Sequence, residues 1–124
     1  MKSNEYCKYN SIILNKIDPL FNITDSVIYT NELTVLSFEK DFSNFQIFLS
    51  SKRKLNNYGR QYFTFVKNNR KYLFVNFINF SNKELKKLYS NEFNKTLIIG
   101  FGQIFENNTF VILYDLDEKS FKLY

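Results

Sequence analysis

The sequence predicts an α+β fold that is mostly β. From Ser26 onward, short runs rich in Val, Ile, Phe and Tyr alternate with polar residues and are separated by clusters of Asn, Asp, Ser and Lys, a pattern typical of strands and turns. Two other segments show helical spacing. Because the connections are short, neighbouring strands are expected to be antiparallel. We therefore predict a strongly bent antiparallel sheet or partly closed barrel of about seven to eight meandering strands, with an N-terminal helix and one short helix near residues 81–91.

The size and composition of the chain favour a single domain, residues 1–124. Of its 124 residues, 44% are hydrophobic and 23% are charged, which is close to the average of soluble globular proteins. Domains typically have about 100–150 residues, so a second domain is not expected.

The N-terminal helix is predicted over residues 4–17. Its apolar residues recur at every third or fourth position, at Tyr6, Tyr9, Ile13 and Ile17, which is the spacing of one helix face. An Asp-Pro pair follows, and this pair is a typical end of a helix.

The second helix is predicted from a capping box, Ser81-Asn82-Lys83-Glu84, in which a side chain at each end satisfies a free backbone N–H group. At helical spacing, one face after this box carries Leu85, Leu88, Tyr89 and Phe93.

Eight strands are predicted from the alternation of apolar and polar residues and from the turn residues between them. They span residues 26–30, 33–39, 45–50, 61–67, 72–79, 96–105, 109–116 and 120–123.

The hairpin of residues 61–77 can be placed in register. Asn68 and Asn69 tolerate positive φ angles and suit a two-residue turn. This turn sets Phe63 opposite Phe74 and Phe65 opposite Tyr72 on one side, which we call the aromatic face. The opposite face is also apolar and carries Tyr62, Thr64, Val66, Leu73, Val75 and Phe77.

A hairpin with two apolar faces is either covered on both sides or presents one face to a partner. Because the apolar faces of the two predicted helices must pack on the sheet, we expect the aromatic face to be buried. The alternative is an exposed aromatic face that stacks unpaired bases or anchors a protein interface.

A second hairpin is predicted with its turn at Asn107-Asn108, which would set Phe105 opposite Phe110. Gly100 and Gly102 precede it, and they are two of the three glycines in the chain. A bulge or a close approach of a helix to the sheet explains them better than a phosphate-binding loop, because no helix is predicted to follow.

Several function classes are excluded by missing residues. The chain contains no His and only one Cys, Cys7, which excludes Ser-His-Asp triads, Cys-His dyads, zinc sites with His ligands and an internal disulfide. No apolar run is long enough for a secretory signal or a membrane span. We therefore expect a cytoplasmic protein that has no membrane partner, metal or cofactor.

The excess positive charge lies in the middle of the chain. Residues 42–83 contain eight basic and no acidic residues, including all three Arg. Such a region either keeps loop ends soluble or attracts a phosphate backbone or an acidic protein surface. The eight are Lys52, Arg53, Lys54, Arg60, Lys67, Arg70, Lys71 and Lys83.

Asp115 and Asp117 are the carboxylates with the best spacing for a cation site at a strand end. The segment 115–120 also has the composition of an ordinary polar turn, and the turn is the better interpretation.

These observations favour a non-enzymatic binding module that acts by docking on another protein, as immunity proteins, inhibitors and anti-defence proteins do. Its partner is expected to have an acidic surface. The alternative is a protein that binds single-stranded nucleic acid through the hairpin 61–77. The candidate partner-binding residues are Lys52, Arg53, Arg60, Lys67, Arg70, Lys71, Phe63, Phe65, Tyr72 and Phe74.

Overall fold

The computed structural model describes residues 11–15, 26–49, 58–100 and 102–123. These residues form six strands and three helices. In chain order the elements are β1 (Ser11–Ile13), β2 (Ser26–Ile28), α1 (Glu32–Leu49), β3 (Tyr58–Lys67), β4 (Arg70–Asn79), α2 (Lys83–Tyr89), α3 (Gln103–Asn108), β5 (Thr109–Asp115) and β6 (Ser120–Leu123).

The strands form one mixed, open sheet in the order β1-β3-β4-β5-β6, and β2 also pairs with β3. β1 runs parallel to β3, whereas every other pair is antiparallel. The predicted α+β class with a mostly antiparallel sheet is therefore confirmed. The partly closed barrel is not confirmed, because the sheet is open. The count of seven to eight strands is not confirmed either: two predicted strands lie in one helix, a third is not a strand, and β1 was not predicted, which gives six strands among the described residues.

The β3–β4 hairpin has the predicted register. Asn68 and Asn69 have φ angles of 54° and 64°, and Phe63 pairs with Phe74. The positive φ angles at both turn residues match the right-handed twist of the two strands. Both strands are ten residues long, so this hairpin is the longest strand pair among the described residues.

The prediction of strands at 33–39 and 45–50 is wrong for the residues that the structure describes. They belong to α1, which begins directly after Asn31. The Asn31 side chain accepts a hydrogen bond from the Leu33 N–H at 2.7 Å. Val35, Phe38 and Phe42 recur at helical spacing and are at most 1% exposed. The segment contains no Gly or Pro that would interrupt a helix.

The predicted N-terminal helix, residues 4–17, is wrong at residues 11–13, which form β1. Ile12 packs in the cluster of Phe63 and Ile13 in the cluster below α1, so adjacent residues point to opposite sides, as in a strand. The remaining residues of the predicted helix, apart from 14 and 15, lie outside the described part of the chain.

The second predicted helix is confirmed as α2, with a different cap and a partly different buried face. The cap is Asn82, whose side chain accepts hydrogen bonds from the N–H groups of Glu84 and Leu85 at 3.0 and 3.1 Å. Leu85 is buried, but Leu88 is 58% exposed. The sequence placed Leu88 on the buried face, and the structure places it in solvent.

The predicted strand 96–105 is wrong for the residues of this range that the structure describes, 96–100 and 102–105, and the predicted hairpin turn at Asn107-Asn108 is wrong as well. Residues 97–100 have no regular structure, and α3 occupies residues 103–108. Gly102 has φ = 100°, a conformation that residues with a Cβ atom rarely adopt. At Gly100 a Cβ atom would lie 2.7 Å from the hydroxyl oxygen of Tyr89, the last residue of α2. A helix residue therefore approaches Gly100 closely, but Gly100 lies outside the sheet.

The two sides of the sheet are covered by different elements. We call the side below α1 the α1 side; there Phe38 and Phe42 pack with Tyr62, Val75 and other residues of the sheet. The opposite side, which we call the α2 side, carries the aromatic face. It is covered by residues of α2 and of the segment 93–98, and by Leu14.

Candidate interaction surface

The structure separates the ten predicted partner-binding residues by their exposure. Lys52 and Arg53 lie outside the described residues. Four of the ten are buried, namely Arg60, Phe63, Phe65 and Phe74. Arg70 and Tyr72 are half-buried, and Lys67 and Lys71 are exposed.

The aromatic face is part of the core. The rings of Phe63 and Phe74 stack with their centroids 4.6 Å apart, and those of Phe65 and Tyr72 stack at 5.5 Å. Leu14 and Leu97 pack against this cluster. The expected burial is therefore confirmed. Of the four rings, only that of Tyr72 is partly accessible, so the alternative of an exposed aromatic face is not found.

The cover of the aromatic face is tied to the sheet by two buried amides, Gln61 and Asn76. The Gln61 amide nitrogen donates to the carbonyl oxygens of Phe93 and Thr96 at 2.8 and 2.7 Å. Its oxygen accepts from the Ile98 N–H at 2.9 Å and from the Asn76 amide at 3.0 Å. Asn76 also donates to the Ile98 carbonyl at 3.0 Å. These bonds satisfy backbone groups of a segment that has no regular structure of its own.

Arg60 is on the α1 side, where it forms a buried ion pair. Its Nε lies 2.7 Å from an oxygen of Glu39 on α1, and Nη1 donates to the Tyr58 carbonyl at 3.1 Å. The Tyr62 hydroxyl donates to the same Glu39 oxygen. Arg60 therefore links the helix to the sheet and is not available to a partner, which corrects its prediction as a partner-binding residue.

Burial is the main cause of the pKa shifts of Glu39 and Tyr62. It raises the pKa of the Glu39 carboxyl, and the Arg60 charge partly opposes this rise. The pKa of Tyr62 is raised well above its usual value, first by burial and then by the negative charge of Glu39. A similar pair links the α1 residue Asp41 to Tyr114, and burial with this hydrogen bond raises the pKa of Tyr114 to about 12.

Arg70 and Asp115 join the ends of two hairpins. Arg70 donates from Nε and Nη2 to one Asp115 oxygen at 3.0 and 2.7 Å, and Nη2 also lies 3.0 Å from Glu118. The other Asp115 oxygen accepts from the N–H groups of Asp117 and Glu118 at 2.9 and 3.0 Å. These backbone hydrogen bonds, followed by the Arg70 contact, hold the pKa of Asp115 below its usual value.

Asp115 therefore has a structural role, and the interpretation of residues 115–120 as a polar turn is confirmed. Both of its oxygens accept hydrogen bonds within the protein. Across the described ranges, no three His, Cys, Asp or Glu side chains gather as metal ligands.

The end of the sheet next to the Asn68-Asn69 turn carries the exposed part of the predicted surface. We define the distal patch as Lys67, Arg70, Tyr72 and Lys122, whose strand positions put them on the α2 side of the sheet. The Lys122 ammonium nitrogen lies 5.9 Å from the centroid of the Tyr72 ring. Lys71 pairs with Val66 and points to the α1 side, so it does not belong to this patch.

Sequence reasoning did not identify Lys122 or the role of Asp115. Both depend on the pairing of β5 with β4 and β6, which brings Asp115 beside Tyr72 and Lys122 beside Leu113. The register of β4 with β5 has no local signal, because residues 80–108 separate the two strands and no turn joins them directly.

None of the helices in the described ranges is both long enough and apolar enough to cross a membrane. Comparison of the chain with protein-family models, with curated proteins and with solved structures found no match.

Proposed function

We propose that this chain is a non-enzymatic binding module that docks on another protein through the distal patch, and that the partner has an acidic surface. The observation that carries this proposal is that the exposed Lys67 and Lys122 lie on the same side of the sheet as the partly exposed ring of Tyr72, with the Lys122 ammonium nitrogen 5.9 Å from the ring centroid. Arg70 lies on this side too, paired with Asp115 and Glu118. Immunity proteins, inhibitors and anti-defence proteins are examples of this mode of action.

The composition of the distal patch suits the anchor of a protein interface. Tyr and Arg are enriched among the residues that contribute most binding energy, because they offer large contact areas with few rotatable bonds or with several directed donors. Arg70 is already oriented by Asp115, which accepts from its Nε and Nη2, so little conformational entropy is lost when the guanidinium contacts a partner. The exposed Lys67 and Lys122 would accelerate association with an acidic partner.

The buried polar groups support a binding function over an enzymatic one. Glu39 is paired with Arg60, Asp41 with Tyr114, and Asp115 with its own turn. The pKa shifts of Glu39, Tyr114 and Asp115 have structural causes, namely burial and the partners that hold the fold together. A shifted pKa at a structural ion pair is not by itself a sign of catalysis.

The burial of three rings also favours a protein partner over single-stranded nucleic acid. Binding of unpaired bases uses several exposed aromatic side chains, on which successive bases stack. In the aromatic face only Tyr72 is partly exposed, while Phe63, Phe65 and Phe74 are covered. A single ring beside cationic side chains suits an interface anchor better than a row of stacked bases.

The test reverses the charge of the patch. Lys67→Glu with Lys122→Glu changes two exposed side chains of the distal patch, and Lys86→Glu with Lys87→Glu makes the same change in net charge on exposed positions of α2. Tagged wild-type and variant proteins are cross-linked in lysate of the source cells, with and without nuclease, after circular dichroism has shown that each variant is folded.

We expect wild type and the α2 variant to capture the same protein at a stoichiometric level, with or without nuclease, and the patch variant to lose it. Two results would overturn the proposal. One is the recovery of RNA or DNA as the bound species; the other is equal loss of the captured protein in both variants, which would indicate an effect of net charge alone.

A further inference from the structure

The outer face of α1 exposes large apolar residues that no described element covers. The helix turns Val35, Phe38 and Phe42 toward the sheet, whereas Leu33 is 70% exposed and Leu36 is 37% exposed. Tyr29, just before the Asn31 cap, is 77% exposed. Single exposed apolar residues are common, but Leu33 and Leu36 lie three positions apart and therefore on the same face of α1.

The charges beside these leucines are arranged symmetrically about Leu36. Glu32 lies four residues before Leu36 and Lys40 four residues after it, and both are exposed. Four residues are about one turn of helix, so a negative and a positive group flank the same apolar residue along the helix axis. Two copies of this helix are therefore complementary in charge when they lie antiparallel.

We infer that the outer face of α1 binds a second copy of this chain, with the two α1 helices antiparallel and a two-fold axis near Leu36. In this arrangement each Glu32 faces the Lys40 of the other copy, and the contact occurs twice. A parallel pair would place Glu32 against Glu32 and Lys40 against Lys40, which is repulsive. The charge pattern therefore selects the antiparallel pair.

The apolar residues fit the same arrangement. Near a two-fold axis Leu36 contacts its own equivalent, and Leu33 lies within one turn of it, so the leucines of both copies form the centre of the interface. Charged residues then lie at its rim, as is usual in protein interfaces. Two exposed leucines on one helix face make a small contact, whereas stable interfaces bury about 1,200–2,000 Å² in total, so we expect a weak dimer.

Cysteine cross-linking tests the position of the axis. Leu36→Cys is made in a chain in which Cys7, the single cysteine, is replaced by Ser. At the axis the two new thiols are neighbours, so mild oxidation is expected to give a disulfide-linked dimer. The matched control is Asn44→Cys, an exposed position on the same helix. In the antiparallel pair its two copies are separated by about 24 Å along the axis, so it should not cross-link.

Charge exchange tests the contact itself, measured by sedimentation equilibrium. Glu32→Lys and Lys40→Glu are each expected to weaken the homodimer by about tenfold or more, because each replaces two attractive contacts with repulsive ones. A mixture of these two variants is expected to regain association, because the lysine introduced at position 32 of one copy would then face the glutamate introduced at position 40 of the other. This mixed dimer also shows that both variants are folded.

Three results would overturn the inference. The first is a wild-type chain that stays monomeric up to about 1 mM. The second is cross-linking of Asn44→Cys as efficient as that of Leu36→Cys, which would indicate a parallel or random pair. The third is a mixture of the two charge variants that associates no better than either variant alone.

Discussion

Arg60 on β3 and Glu39 on α1 form an ion pair in which Nε lies 2.7 Å from the carboxylate oxygen, with side chains 4% and 12% exposed. The guanidinium carbon also lies 4.8 Å from the centroid of the Phe77 ring. The pair therefore connects the longest helix described to the hairpin near the end away from its turn. A buried pair costs desolvation energy, so its effect on stability depends on keeping both partners.

We expect Arg60→Met to destabilise the protein by about 3–5 kcal/mol, because Glu39 is left as a buried charge without its partner. Adding Glu39→Gln is expected to recover part of this loss, since no unpaired charge remains. Urea unfolding of wild type, both single variants and the double variant measures the coupling. Lys87→Met, at an exposed position of α2, is the control and should stay within about 0.5 kcal/mol. Additive costs would show that the pair is not coupled.

Gln61 is expected to control the stability of the segment that covers the aromatic face. Gln61→Leu leaves the Phe93 and Thr96 carbonyls and the Ile98 N–H without their buried partner, at a cost of about 3 kcal/mol or more. Hydrogen exchange at the Ile98 amide is expected to become faster than exchange in the β3–β4 hairpin.

The variant Gln61→Glu separates the two functions of the amide. The buried carboxyl group of Gln61→Glu still accepts from the Ile98 N–H, and in its protonated form it donates to at most one of the Phe93 and Thr96 carbonyls. We expect partial protection of the Ile98 amide in this variant. If exchange at Ile98 is unchanged in Gln61→Leu, other contacts hold the segment in place.

Both apolar sides of the hairpin are expected to contribute to stability. Phe65→Ala, on the α2 side, should cost about 3–5 kcal/mol, and Val75→Ala, on the α1 side, about 2 kcal/mol. Leu88→Ala removes a similar aliphatic group from an exposed position and should cost less than about 0.5 kcal/mol. Thermal melts of the three variants provide the comparison. A Phe65→Ala protein as stable as wild type would mean that the aromatic face is open in solution.

Asp115 is expected to make stability depend on pH, whereas Asp117 controls for the loss of a nearby charge. The pKa of Asp115 in the folded protein is below its ordinary value of about 3.9. Its contribution is therefore complete above about pH 4 and is lost as the pH falls through the folded-state pKa. Asp115→Asn should lower the melting temperature at neutral pH, and its difference from wild type should shrink below about pH 4.

Asp117→Asn alters an exposed carboxylate of the same turn and is expected to change the melting temperature much less than Asp115→Asn at every pH. Melting curves between pH 2 and 8 measure both variants. Equal effects of the two substitutions would assign the result to net charge rather than to the hydrogen bonds of Asp115.

Local residue chemistry was sufficient to predict several parts of this protein. Asn68 and Asn69 determine the turn of the β3–β4 hairpin, and the alternation of its strands determines its register and two apolar faces. The polar turn after Asp115 and the helix after Asn82 were also predictable, because a capping or turn side chain bonds to backbone groups two or three residues away.

Tertiary structure decided the rest. Residues 33–49 are apolar at intervals that suit either a strand or a helix, and the packing of Val35, Phe38 and Phe42 on the sheet selects the helix. The exposure of Arg60, Phe65 and Tyr72 was equally undetermined, because it depends on which segments cover each side of the sheet. Those covering contacts join residues that are distant in the chain. The local pattern of apolar residues in one sequence carries no information about such pairs.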